Sequence, residues 1–223
     1  PYSPIRRINA IGLTLKHPEL PVKMARILKD KGYSFVCDFV GSETKDIDAV
    51  RFTNEVEKRG LNSIAVYHGR KYGKEKDFYF KQAETFVLPS FNEAFPLVNI
   101  EAMEYKLPIV STNVGGIPDE VRDGDSGFVV EPKDTNALAD AICKLIGDAQ
   151  LRRKMGDKAY ALFREYFTQE HFEESFVDGV APPTIVPKLL KVHSFHSSTP
   201  FLTRFVNSSI TISGLFDLHL PLT

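Results

Sequence analysis

Residues 86–120 read FVLPSFNEAFPLVNIEAMEYKLPIVSTNVGGIPDE, and the alternation of apolar runs and breakers within them decides the fold. The run Phe86–Leu88 is three residues long and stops at Pro89-Ser90, the pattern of a strand buried on both faces that ends in a turn. After a short loop, Leu97 to Tyr105 is apolar nearly all round and predicts a buried helix. Ile109–Ser111 is a second buried strand, and Gly115-Gly116 followed by Ile117–Val121 predicts a loop and a short helix. Asn99, Glu101 and Glu104 are the polar members of the longer helix. A carboxylate one turn inside such a helix is costly unless something pairs with it, so Glu101 requires a partner.

A second carboxylate, Glu93, stands in the loop ahead of the helix, with seven residues between it and Glu101. If the helix starts near Pro96, a residue suited to a first turn, Glu101 lies roughly 6 Å along the axis from the start and both carboxylates can face one crevice. The amides of the first turn, Leu97 and Val98 among them, and the positive end of the helix dipole point at the same crevice, where an anion would bind.

Outward from this stretch the chain keeps alternating. Ile8–Leu13 predicts a strand, Leu20–Lys31 a helix stopped by Gly32, and Tyr33–Val40 a strand ending in the small-residue turn Gly41-Ser42-Glu43. A helix from Asp46 to Arg59, a strand over Ile64–Tyr67 leading to His68-Gly69-Arg70-Lys71, and a helix over Lys74–Ala83 complete the approach. Beyond, Phe128–Val130 is the last strand, and helices follow over residues 134–146, 148–166 and 168–178. Strands alternating with helices predict an α/β protein with a doubly wound, Rossmann-like parallel sheet. Ligands bind such sheets outside the strand C-terminal ends, where Gly41, Gly69, Ser90 and Thr112 are expected. The Gly115-Gly116 backbone is expected to approach a sugar or phosphate closely.

The ordered set Pro89-Ser90, Glu93, Phe95-Pro96-Leu97, Glu101-Ala102-Met103, Ile109-Val110, Gly115-Gly116 and Glu120 resembles the donor-site signature of group 1 (family 4) retaining glycosyltransferases of the GT-B fold. The likeness continues through Asp123-Gly124, Gly127–Val130 and Pro132, over roughly residues 30–178. It implies a single GT-B half-domain that binds a nucleoside diphosphate sugar, the donor domain of a hexosyltransferase in glycan or polysaccharide synthesis. By the same resemblance Glu93 is the catalytic carboxylate, facing the donor hexose, and Glu101 takes the ribose. Ala94, Phe95, Leu97, Val98, Gly41, Gly69, Gly115 and Gly116 would complete the donor site, and no metal or other cofactor is expected. Where the family usually has an arginine after the glycine ending its first strand, Gly12 is followed here by Leu13, which leaves Lys16 as the stand-in for a phosphate ligand. A complete GT-B enzyme also has an N-terminal acceptor domain, which is expected to be missing from these residues, so the isolated chain is expected to be inactive. The alternative is a non-catalytic nucleotide-sugar-binding module working with a separate acceptor subunit.

The 223 residues suit one sizeable domain, 1–178, with an irregular tail, 179–223, that lacks sustained periodicity. The formal net charge of −1 carries no nucleic-acid footprint. The two cysteines, Cys37 and Cys143, read as reduced packing residues, and neither a signal peptide nor a membrane span is evident, so a cytoplasmic protein is expected.

Overall fold

A computed structural model describes residues 6–14, 19–43 and 48–168. Lys16, the helix expected beyond Thr168 and the tail 179–223 lie outside the described residues. The chain divides into two compact units, residues 1–163 and 164–223, and the architecture below is that of the first.

Six strands form one sheet: β1 (Arg6–Thr14), β2 (Phe35–Ser42), β3 (Ala65–Tyr67), β4 (Thr85–Leu88), β5 (Ile109–Thr112) and β6 (Gly127–Val130). Every pairing is parallel and the order is β3-β2-β1-β4-β5-β6. The chain builds outward from β1 to β3, returns to the other side of β1, and builds outward again to β6. Right-handed crossovers then place helices on both faces and make the C-terminal ends of β1 and β4 the topological switch point. The doubly wound sheet expected from the sequence is present.

One face is covered by α1 (Glu19–Asp30), α2 (Ala49–Lys58), α6 (Thr135–Gly147) and α7 (Ala149–Tyr166). Its core is aliphatic and aromatic: Val22, Leu28, Phe52, Leu138 and Ile142 meet the strand residues Ile8, Cys37, Phe39, Val87 and Val110. Three of these helices open on aspartates: Asp48 accepts from Arg51 N at 2.8 Å, Asp134 from Ala137 N at 2.8 Å, and Asp148 from Gln150 N and Leu151 N at 2.9 Å.

The other face belongs to α3 (Gly73–Gln82), α4 (Leu97–Glu104) and α5 (Ile117–Glu120). Side chains alternate along a strand, so Asp38, Phe86, Ile109 and Ser111 turn away from the first core toward these helices. Phe80 of α3 stacks on Tyr105 at 5.1 Å between ring centroids and leans on Phe86 at 6.0 Å. The N-caps of α3, α4 and α5 are Tyr72, Pro96 and Gly116, and none makes a side-chain cap bond.

Two boundaries differ from expectation. Gly41 and Ser42 are the last residues of β2, not a turn, because Ser42 pairs with Thr14 past a register shift in β1. Helix α2 is described only from Ala49, with Asp48 as its cap. Among the described residues, no helix is long and apolar enough to cross a membrane.

Candidate donor-binding site

The loop after β4 carries most of the residues singled out in the sequence. Side-chain bonds across the strand ends hold its base: Ser111 Oγ donates to Leu88 O at 2.7 Å and Thr112 Oγ1 donates to Ser90 O at 2.5 Å. Glu93, Leu97 and Val98 are half-buried, while Ala94 and Phe95 are exposed. Pro96 precedes α4 with φ −80° and ψ 98° and offers no capping atom. Among the described residues, the N–H groups of Leu97 and Val98 donate to no backbone carbonyl, whereas Asn99 N donates to Pro96 O at 2.9 Å. The first turn of α4 therefore keeps donors and a positive dipole end that could meet an anion.

The loop after β5 packs on this one backbone to backbone. Gly116 N donates to Ala94 O at 2.8 Å. Gly115 has φ +54°, and a Cβ there would overlap the Glu93 carbonyl; a Cβ on Gly116 would come to 2.7 Å from Ala94 O and 2.9 Å from the Phe95 ring. The glycine pair thus has a reason that involves no ligand: only glycines let the two loops lie this close. Its effect is to fix Glu93 and Ala94 from beneath.

Glu101 is 4% exposed, and the partner its burial demanded is Lys76 of α3, whose Nζ donates to Oε1 at 2.5 Å. Burial pushes the Glu101 carboxyl above the ordinary range, the Lys76 ammonium pulls it back, and Glu104 and Asp77 add to the upward push. Because Lys76 already engages one oxygen, a ligand hydroxyl would meet a carboxylate that is positioned in advance.

A second buried acid lies on the opposite flank of α4. Asn99 and Glu120 are both 0% exposed, and Asn99 Nδ2 donates to Glu120 Oε2 at 2.7 Å. Burial, with the charges of Glu93 and Asp119, pushes Glu120 up to about 8 against the Asn99 hydrogen bond. Asn99 and Glu120 stood in the sequence as a polar helix residue and a signature acid, without an assigned contact.

Gly41 and Gly69 fall in a separate group, at the ends of β2 and β3. Gly41 N donates to Gly69 O at 3.1 Å, and Tyr67 Oη donates to Gly41 O at 2.8 Å. The neighbouring His68 Nε2 is 2.7 Å from Asp38 Oδ1, and Arg7 donates to Asp38 Oδ2 at 3.1 Å. The strand order sets this group and the Glu93–Val98 loop on the two sides of β1.

Known proteins of similar sequence and shape agree on one lineage. The family model of group 1 glycosyl transferases matches residues 12–162, so the likeness begins earlier than the residue near 30 from which it is legible by eye. A D-inositol 3-phosphate glycosyltransferase of Paenarthrobacter aurescens is 34% identical over 146 residues, 64% of this chain and 35% of that protein. The capsular polysaccharide biosynthesis glycosyltransferase CapM of Staphylococcus aureus is 32% identical over 137 residues, 60% of this chain and 34% of that protein. The chain thus spans about a third of the length of these two relatives. Among solved structures, the C-terminal domain of a group 1 glycosyl transferase, LpcC of Francisella tularensis, superposes with a TM-score of 0.66 at 24% identity, covering 74% of this chain and 87% of that one. Anabaena HepE, solved in complex with UDP-glucose, gives a TM-score of 0.70 at 17% identity over 78% of this chain and 48% of its own.

Proposed function

The chain belongs to the group 1 glycosyl transferases, and from that premise we propose that its residues 1–163 bind the nucleoside diphosphate sugar donor of a retaining hexosyltransferase. The observation that carries this reading is the α4 N-terminus. Its amides have no side-chain cap, and it opens at the C-terminal end of β4, beside the switch point, with one acid in the preceding loop and a second a turn inside. The diphosphate would lie against the Leu97 and Val98 amides, which stabilise charge on the departing phosphate without a metal. Glu93, supported from below by Gly115-Gly116, would face the hexose. Glu101, its Oε1 held by Lys76, would accept from the ribose, which makes Lys76 a positioning residue.

Transfer also needs an acceptor held within reach of the anomeric carbon, and such positioning contributes about 7–11 kcal/mol toward the barrier. The relatives run to about three times the matched length. An acceptor domain, in a longer chain or as a separate subunit, would supply that function, and polysaccharide or glycoconjugate synthesis is the setting in which CapM offers a precedent.

Calorimetric titration of the chain with UDP, GDP and ADP, and then with the matching hexose conjugate, tests the reading. One nucleotide should bind with saturation and the conjugate should compete for the same site. Absence of saturable binding for all three would overturn the donor-site assignment, and transfer of labelled sugar to an added acceptor at ordinary enzyme rates would overturn the need for an acceptor domain.

A further inference from the structure

Three buried acids on the α3–α5 side of the sheet each meet a polar partner: Asp38 with Arg7 and His68, Glu101 with Lys76, and Glu120 with Asn99. The first two pairings join an acid to a basic group. The third joins an acid to a neutral amide and leaves two atoms over. Glu120 Oε1 and Asn99 Oδ1 are both buried, and neither has a hydrogen-bond partner among the described residues. They sit on the same two planar groups that the Asn99 Nδ2 to Glu120 Oε2 bond already joins. Written as a carboxylate and an amide, the pair offers three acceptor oxygens and uses one donor, and two buried acceptors are left without a protein partner among the described residues.

We propose that Glu120 holds a proton in the resting domain, so that Oε1–H donates to Asn99 Oδ1 while Asn99 Nδ2–H donates to Oε2, and that this neutral acid–amide ring clamps α4 to α5 and keeps the Glu93–Ala94 backbone seated on Gly115-Gly116. One proton, taken from solvent, satisfies both leftover atoms; no other single change within the pair does so. The charged groups that act on Glu120 are both acids, Glu93 from the loop before α4 and Asp119 from its own helix, and they oppose ionisation as burial does. The clamp's ends lie close to the seam it would hold: Asn99 is in the first turn of α4, and Glu120 closes the short helix capped by Gly116, whose N–H binds Ala94 O. That the seam orients a donor-binding carboxylate rests on the reading above; the proton and the ring do not.

The competing arrangement is an ionised Glu120 with a buried water donating to both oxygens. Glu120→Gln separates the two, because a glutamine amide reproduces the donor and acceptor of the protonated acid but not a carboxylate. Infrared difference spectra of the full chain, wild type minus E120Q, should show a protonated-carboxyl carbonyl band at about pH 6 that fades as pH rises. The folded value of about 8 lies above the ordinary 4.5, so the stability from this group is fully present below about 4.5 and lost as pH rises through about 8. Wild type should therefore lose several degrees of melting temperature relative to E120Q between about pH 5 and 8.5. Hydrogen exchange at Gly116 N–H should fall to E120Q-like protection at low pH and accelerate at least tenfold relative to E120Q at high pH. An absent carboxyl band, or E120Q as destabilised at pH 6 as Glu120→Ala, overturns the proton; a normal band with Gly116 exchange that tracks E120Q at every pH overturns the clamp. Nucleotide titration at one fixed pH, run alongside, fails only if the donor-site reading fails.

Discussion

The two faces of the sheet solve the same burial problem with different chemistry. Under α1, α2 and α6 the core side chains are apolar, and α2, α6 and α7 start at aspartates that accept from their first-turn amides. Under α3, α4 and α5 the sheet buries Asp38, Glu101, Asn99 and Glu120, and the helix starts have no side-chain caps. Apolar packing and capping stabilise without further demands. Buried acids stabilise only while each partner stays in place, and open helix starts leave donors unmet. One face is thus built to hold the fold and the other to hold charged groups ready, and each substitution below tests that division.

The largest effect is expected on the polar face. Lys76→Met removes the cation from a Glu101 side chain that is 6% exposed, leaving a buried carboxylate alone, and should cost about 3–5 kcal/mol at neutral pH by denaturant unfolding. The loss should shrink as pH falls, because the variant's Glu101, its value raised further, takes up a proton and ceases to be a buried charge. Replacing both partners with methionine should recover most of the stability. A pH-independent loss would mean that Lys76 contributes packing alone. On the apolar face, Ile142→Ala opens a cavity beside Leu138 and Leu145 and should cost about 2–5 kcal/mol, the same at every pH. Similar pH profiles for the two variants would erase the distinction between the faces.

How much of this was legible in the sequence follows from the range of each signal. The apolar run Phe86–Leu88, the all-round apolar α4 and the strand–helix alternation are local, and they gave the doubly wound sheet and its order of elements. The cost of burying Glu101 was also local, and it announced that a partner existed. It could not name Lys76, which lies 25 residues upstream on a helix whose sequence has little apolar period. Glu120 was visible as a signature residue, but its contact with Asn99 spans 21 residues and is made by packing. The glycine pair signals a close approach in the sequence without naming what approaches; the fold brings the Glu93 and Ala94 carbonyls to where a Cβ would stand. Small residues after an apolar run predict a turn at Gly41, yet pairing with β1 extends the strand through it.

Intermediate effects are expected on binding. Glu101→Ala should weaken nucleoside diphosphate binding by about 1.5–3 kcal/mol, the loss of a charged hydrogen bond, while Glu93→Ala should weaken the sugar conjugate and leave the free diphosphate nearly unchanged. The difference arises because the ribose is present in both ligands and the hexose in only one. Equal losses for the free diphosphate by calorimetry would count against the assignment of the two acids.

The smallest effect is expected from a cap on the apolar face. Asp134, at φ −77° and ψ 85°, lies outside α6 and accepts from Ala137 N at 2.8 Å, satisfying one amide that the helix itself cannot. Asp134→Ala removes that acceptor and the favourable interaction of its charge with the helix dipole, but exposes no core, because the bond is at the surface. A loss of about 1 kcal/mol in unfolding free energy is expected. Nucleotide affinity should not move, since α6 packs on α1 against the opposite side of the sheet from α4 and makes no part of the candidate site. A measurable fall in affinity in D134A would show that capping on the apolar face is coupled to the uncapped α4, and the two faces would then have to be treated as one cooperative unit.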